Sequence, residues 1–328
     1  MNLQTAFQYI SNHNEEAFEK IALELFHYHS KYNPVYSSFC KALGVDNNSV
    51  NSIIQIPFLP ISFFKTTTVL LSGYTPSLIF RSSGTTSRET SSHYIAYPEL
   101  YKHSFLTHFK TAFGDPEQYT ILALLPSYLE RQDSSLVYMV NEFIRISGSP
   151  HSDFFLYDHR SLFDVLEMLK LNIKKTILIG VSFALLDFLE QYNIHFPELI
   201  LMETGGMKGR RKEIIRKELH MKLQQGFGVS SVWSEYGMTE LLSQAYAKSD
   251  GAFSCSPWMK VLVRDKNDPF QLLGVNQSGG LNVIDLANAY SCPFIATDDI
   301  GRLNTDNTFE VLGRLDSSNI RGCNTMIV

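Results

Sequence analysis

An alternation along the middle of the chain limits the fold more than any other feature. Short, almost wholly apolar runs, YTILALLP at 119–126 and TILIGVSF at 176–183, are each followed by residues at helical spacing, as in ALLDFLEQY and RRKEIIRKELHMKLQQ. Apolar runs of this length without a polar face predict strands buried on both sides, and strands alternating with helices predict an α/β sheet. Upstream, EEAFEKIALELFHYHSKY places Phe18, Ile21, Ala22, Leu25 and Phe26 on one face, which predicts an amphipathic helix packing a core. His27 and His29 within it point to different faces, which argues against a helical metal pair. PSLIF and HYIAY predict a strand, a loop and a strand. From about residue 252, WMKVLVRD, GGLNVIDL, CPFIATDDIGRL and TFEVLGRL, separated by Gly, Asn and Asp turns, predict a smaller β-rich part. The expected organisation is an α/β core with a helical amino-terminal segment over 1–254, a β-rich subdomain over 255–313 and a hinge-like tail over 314–328.

Charge and cysteine usage narrow the function classes. With 28 Lys+Arg against 33 Asp+Glu, the net charge of -5 offers no basic field for nucleic acid. Cys40, Cys255, Cys292 and Cys323 lie far apart without a CxxC pair, and the amino terminus lacks the basic start and apolar run of a signal peptide. A cytoplasmic protein with free thiols, no structural zinc and no membrane span is expected.

The stretch RSSGTTSRETSSH raises the question of function. Eight of the eleven residues from Ser82 to Ser92 carry hydroxyls around Gly84. Clusters of this kind are commonly plain surface loops. The alternative is a phosphate loop, in which Gly84 exposes backbone N–H groups while Ser82, Ser83, Thr85, Thr86 and Ser87 ring phosphate oxygens. It is not a Walker loop, because the second Gly and the Lys are absent. Further motifs follow in order: TGGMKGRR at 204–211, SEYGMTE at 234–240, ATDDIGR at 296–302 and GRLD at 313–316.

Together with SSGTT, this series resembles the adenylate-forming superfamily of acyl ligases, which join a carboxylate to AMP. The resemblance implies an adenylate-forming large domain with a layered α/β core and a small β-rich subdomain. It also implies ATP and Mg2+ as cofactors. The SSGTT loop, Gly205, Gly206 and Gly237 would bind nucleotide, and Tyr236 would lie against adenine. Thr239 would handle the α-phosphate, Glu240 would bind magnesium, and Asp299 with Arg314 would hold the ribose hydroxyls. IPFLPISFFKT, LPSYLERQDSSLVYMV, GGMKGRR, EYGMTEL and the terminal RGC narrow the resemblance to the acyl-protein synthetases of bacterial luminescence, from about residue 54 to Cys323. Members of that group activate a fatty acid and pass the acyl group to a cysteine near the carboxyl terminus, from which an acyl reductase partner takes it. Cys323 is the candidate acceptor that the resemblance implies here. Arg321, two residues earlier, would favour its thiolate.

Departures from the larger relatives are also legible. Ser87 and Thr90 stand where they carry Gly and Lys, and the sequence stops shortly after GRLDSSNIRG, so their mobile carboxyl-terminal domain with its catalytic Lys is expected to be absent. The charge leaving with pyrophosphate needs cations, and Lys208, Arg211, Arg210 and Arg131 are the candidates. Two other classes compete. GVSFA at 180–184 sets Ser182 between a strand and a helix as a hydrolase nucleophile would be set, but it lacks the second Gly, and His220 falls within a helical run. A nucleotide-binding scaffold that docks a partner, or a ligase using another acceptor such as coenzyme A, remains open. The acyl group itself is not legible.

Overall fold

The structure, a computed structural model, describes residues 15–82, 90–126, 133–205, 214–249 and 251–315. The chain divides into two compact units, one formed by Thr75–Ser256 and the other by Met1–Tyr74 with Pro257–Val328.

The Thr75–Ser256 unit is built on a seven-stranded sheet. Its spatial order is Ser254–Cys255, Ala245–Lys248, Val232–Tyr236, Ile200–Thr204, Lys175–Val181, Tyr119–Leu124 and Asp153–Phe154. The five strands from Val232–Tyr236 to Asp153–Phe154 run parallel; Ala245–Lys248 runs antiparallel to Val232–Tyr236, and Ser254–Cys255 antiparallel to Ala245–Lys248. Every residue of Tyr119–Leu124 is buried, as its continuous apolar run predicts. Helices cover both faces. Trp233 and Ser234 point to opposite sides of one strand; Trp233 meets Phe113 of helix Pro98–Phe113 at 4.7 Å between ring centres, and Ser234 meets His220 of helix Arg216–Phe227 at 3.2 Å. A separate hairpin, Leu78–Arg81 paired antiparallel with Ser92–Ile95, carries the hydroxyl-rich stretch as its connection.

The other unit joins helix Glu15–Tyr32 and helix Pro34–Ala42 to a five-stranded sheet. Phe18, Ile21, Ala22, Leu25 and Phe26 are all buried, as their helical spacing predicts. Asn33 joins the two helices. Its Oδ1 accepts from the N–H groups of Val35 and Tyr36 as an N-cap, while its Nδ2 donates to Ser291 O at 2.6 Å. His29 is fully buried and donates from Nε2 to Ala289 O at 2.9 Å; burial lowers its pKa to about 4, which keeps it neutral. The sheet runs Leu59–Pro60, Phe294–Leu303, Ser278–Asp285 and Met259–Arg264, with Phe309–Arg314 also paired to Phe294–Leu303. Cys40 and Cys292 are buried and Cys255 half-buried; among the described residues all three are free thiols, and burial raises Cys255 and Cys292 to about 12.

Candidate functional site

The hairpin closes at the base of the hydroxyl-rich connection. Ser82 N donates to Ser91 O at 3.0 Å, and Ser91 N donates back to Ser82 Oγ at 2.9 Å. The Ser82 hydroxyl oxygen therefore braces the neck of the loop. Arg81 anchors the same end through its N–H to Asp133 O at 2.8 Å and its guanidinium to the Asp133 carboxylate at 3.2 Å. Ser83, Gly84, Thr85, Thr86 and Ser87 lie outside the described residues. The returning strand contributes His93, fully buried, whose Nδ1 donates to Thr239 O at 2.8 Å. A carbonyl can only accept, so this ring nitrogen carries the hydrogen. The bond ties the hairpin to the SEYGMTE segment, and no motif in the sequence marks His93 for that role.

SEYGMTE begins inside strand Val232–Tyr236 and continues into a turn in which Leu241 N donates to Met238 O at 3.1 Å. Tyr236 is buried, with its ring 5.8 Å from that of Phe253; the Arg216 guanidinium stands 4.9 Å from the Phe253 ring. Gly237 is exposed, and a Cβ there would come within 2.4 Å of Glu235 Oε1, so the glycine leaves room for that carboxyl. Thr239 is half-buried and Glu240 is buried. On the adjacent strand, Thr204 pairs in register with Glu235 and donates to its Oε2 at 2.5 Å. Gly205, with φ of 72°, follows at the carboxyl end of that strand. Gly205, Tyr236 and Gly237 thus gather where neighbouring parallel strands end, the position at which open α/β sheets bind ligands. Gly206, Lys208, Arg210, Arg211 and Arg131 lie outside the described residues.

Two carboxyl groups beside this segment are in opposite states. Burial pushes Glu235 up to about 7, with the Glu203 charge adding to the rise against the Thr204 hydrogen bond. Burial also works to raise Glu203, but hydrogen bonds from His220 and Ser234, the Arg216 charge and Ser182 hold it below the usual carboxylate range. Ser182 donates to Glu203 at 2.8 Å and Ser234 at 2.6 Å. The hydrogen of Ser234 is thereby committed, so His220 Nε2, 3.2 Å away, is the donor to Ser234 Oγ. Ser182 is buried and donates its hydroxyl hydrogen to a carboxylate. Its hydroxyl hydrogen is thus committed to Glu203 rather than to the imidazole of a Ser-His pair.

In the other unit, the structure brings Asp299 and Arg314 directly opposite each other on neighbouring antiparallel strands, with Nε and Oδ1 3.8 Å apart. The Asp299 N–H donates to Thr297 Oγ1 at 3.2 Å. The Arg314 side chain is 68% exposed against 17% for Asp299, so the guanidinium is free to swing. Cys323 lies outside the described residues. Among the described residues, no three His, Cys, Asp or Glu are grouped to hold a metal. One buried carboxylate, Glu240, suits magnesium that arrives with a nucleotide, because Mg2+ takes one or two protein carboxylates and otherwise keeps phosphate and water oxygens. No helix among the described residues is long and apolar enough to cross a membrane.

The fold is shared with solved ligases and synthetases. A 2-hydroxyisobutyryl-CoA ligase solved in the postadenylation state with 2-HIB-AMP superposes with a TM-score of 0.69 at 12% identity, covering 92% of this chain and 68% of that one. An ATP-bound RpMatB-BxBclM chimera gives 0.52 at 16% identity, over 72% of this chain and 47% of its own. The O-succinylbenzoate coenzyme A synthetase MenE from Bacillus subtilis, with ATP and magnesium, gives 0.50 at 16% identity, over 72% of this chain and 49% of its own. This chain therefore spans about half the length of the latter two. Within that fold, residues 4–93 match the family described as acyl-protein synthetase, LuxE, the group that the motifs resemble. No curated protein sequence matches the chain.

Proposed function

We propose that the chain is an adenylate-forming acyl-protein synthetase, which activates a carboxylic acid, in our reading a fatty acid, with ATP and passes the acyl group to a protein thiol. The observation that carries this reading is the bond from His93 to Thr239, which joins the hydroxyl-rich hairpin to the SEYGMTE turn at the carboxyl ends of the parallel strands. The bond brings together segments far apart in sequence, which supports reading them as one phosphate-handling element.

The chemistry follows from charge. A substrate carboxylate is already ionised near neutral pH, so no protein base is needed. The obstacle is its repulsion by the triphosphate. The Ser82 hydroxyl, the backbone N–H groups and hydroxyls of the loop from Ser83 to Ser87, and Thr239 are assigned to the phosphates, and Glu240 to magnesium. When bound, magnesium neutralises phosphate charge and polarises the α-phosphoryl group. The carboxylate oxygen attacks the α-phosphorus, the bond to the β-phosphate oxygen breaks, and pyrophosphate leaves with its electron pair. Lys208 and Arg211 are assigned to that departing charge. Tyr236 is assigned to the adenine, Gly205, Gly206 and Gly237 to the backbone approach to nucleotide, and Asp299 with Arg314 to the ribose hydroxyls. The resulting acyl-adenylate is a mixed anhydride. The Cys323 thiolate attacks its carbonyl carbon, AMP leaves, and a thioester forms for transfer to an acceptor such as an acyl reductase.

A screen of carboxylates for ATP–pyrophosphate exchange tests the first half; no exchange with any acid, together with no binding of ATP or of an acyl-adenylate mimic, rejects it. Labelled acid and ATP test the second. A hydroxylamine-labile label on the protein should vanish in Cys323→Ser while exchange persists. A label that survives the substitution, or active exchange without label, assigns the acyl group to a different acceptor.

A further inference from the structure

We propose that Arg264 is a positioning residue for nucleotide recognition: its guanidinium holds open the β-bulge that presents Asp299. The inference rests on the ribose role assigned above to Asp299.

The bulge is visible in the register. Gly280 pairs with Ile300 and Asn282 with Ala296, so the single residue Leu281 stands opposite three, Thr297, Asp298 and Asp299. A break of this kind re-aims side chains and removes ladder hydrogen bonds, leaving carbonyls that need other donors. Arg264 supplies them. From strand Met259–Arg264, Nη1 donates to Leu281 O at 2.7 Å and to Asn282 Oδ1 at 2.7 Å, and Nη2 donates to Thr297 O at 2.6 Å. The same Leu281 carbonyl accepts the Thr297 hydroxyl at 2.9 Å, and Thr297 Oγ1 in turn accepts the Asp299 N–H at 3.2 Å. An unbroken chain of hydrogen bonds thus runs from the guanidinium through Thr297 to the backbone of Asp299.

The sequence clears space for this group. A Cβ on Gly280 would lie 2.6 Å from Arg264 Cζ, and one on Gly279 would lie 2.0 Å from Arg264 O. Gly280 of SGGLN is where the buried side chain passes, and Gly279 lies against the Arg264 backbone. Arg264 is 8% exposed, and none of its hydrogen bonds goes to a carboxylate. A buried charge held only by carbonyl and amide oxygens is costly and calls for a reason. The Asp298 and Asp299 charges oppose the effect of burial on the guanidinium. Arg314, across the strand pair, is exposed and cannot supply a fixed field.

The test compares ATP with 2′-deoxy-ATP in pyrophosphate exchange and follows backbone amide exchange over residues 296–301. Wild type should favour ATP by about tenfold or more, the scale of a hydrogen bond to a charged group. Arg264→Lys keeps charge and loses the planar fork. It should raise KM for ATP about tenfold while leaving KM for 2′-deoxy-ATP and for the carboxylate near wild type. The preference for ATP then collapses, and amides 297–300 exchange faster while the rest of the sheet does not. Asn282→Ala, which removes one acceptor, should shift the same readouts less. Equal losses with both nucleotides and uniformly faster exchange would reduce Arg264 to scaffold. An unchanged preference with unchanged local exchange would overturn the proposal outright. If wild type does not distinguish the nucleotides, the ribose role of Asp299 falls, and amide exchange alone decides whether Arg264 holds the bulge.

Discussion

Glu203 and Glu235 occupy neighbouring strands of one sheet and are driven apart in proton affinity. Glu203, held below its ordinary value of 4.5, contributes stability above that pH and loses it as the pH falls through its lowered value. Glu235 behaves oppositely. Its carboxyl is raised from 4.5 to about 7, so the folded state holds the proton more tightly, and stability declines as the pH rises through that window. Glu235→Gln keeps an acceptor for Thr204 and removes the titration. Urea unfolding from pH 5 to 8 should show wild type losing on the order of 2 kcal/mol relative to the variant, after allowance for partial exposure. Parallel curves would show that Glu235 does not titrate there. Glu240→Gln should instead keep the fold and lower pyrophosphate exchange about a hundredfold or more, the scale of a lost electrostatic stabiliser; unchanged exchange would move the metal to another carboxylate. Motif position separates these two acids in the sequence. The raised affinity of Glu235 does not appear there, because Thr204 and Glu203 are distant along the chain and arrive only with the sheet.

At the scale of elements, periodic segments were legible and register was not. Helix Glu15–Tyr32 spans the stretch whose apolar spacing predicts it, and the strands at 119–124 and 175–181 fall on their apolar runs. The hairpin around the hydroxyl-rich loop follows from two apolar runs flanking a turn-forming cluster. The bulge of three residues against Leu281 has no such signature, since a register shift depends on the partner strand. The same holds for His93, which looks like any residue in a short strand until its carbonyl partner is known. His93→Leu should therefore do more than trim a side chain. It leaves the Thr239 carbonyl without this donor, costing about 1–3 kcal/mol, and loosens the hairpin from the SEYGMTE turn. KM for ATP should rise while KM for the carboxylate stays. Losses confined to thermal stability, with both KM values intact, would make His93 a packing residue only.

At the scale of the molecule, linkage offers a test that needs no knowledge of the acyl group. A ligand that binds only the folded chain adds RT ln(1 + [L]/Kd), or about 2.7 kcal/mol at a hundredfold excess over Kd. Unfolding followed by heat should therefore shift upward with ATP, provided magnesium is present. The magnesium-dependent part should disappear in Glu240→Gln, whose buried carboxylate has been replaced by a neutral group of the same shape. A stable acyl-adenylate mimic extends the experiment to substrate class, because it occupies the nucleotide and acyl subsites together and should stabilise more than ATP and free acid combined. A graded series of such mimics, from short to long alkyl chains and then aromatic acids, should peak at the chain length the pocket accepts. The peak matters more than the size of any one shift, since nucleotide contacts are common to the whole series. A flat series would mean that the acyl portion is not recognised, which would favour a nucleotide-binding scaffold over an acyl-activating enzyme. A peak that survives Cys323→Ser would place acid selection in the activating step and leave acyl transfer as a separate event.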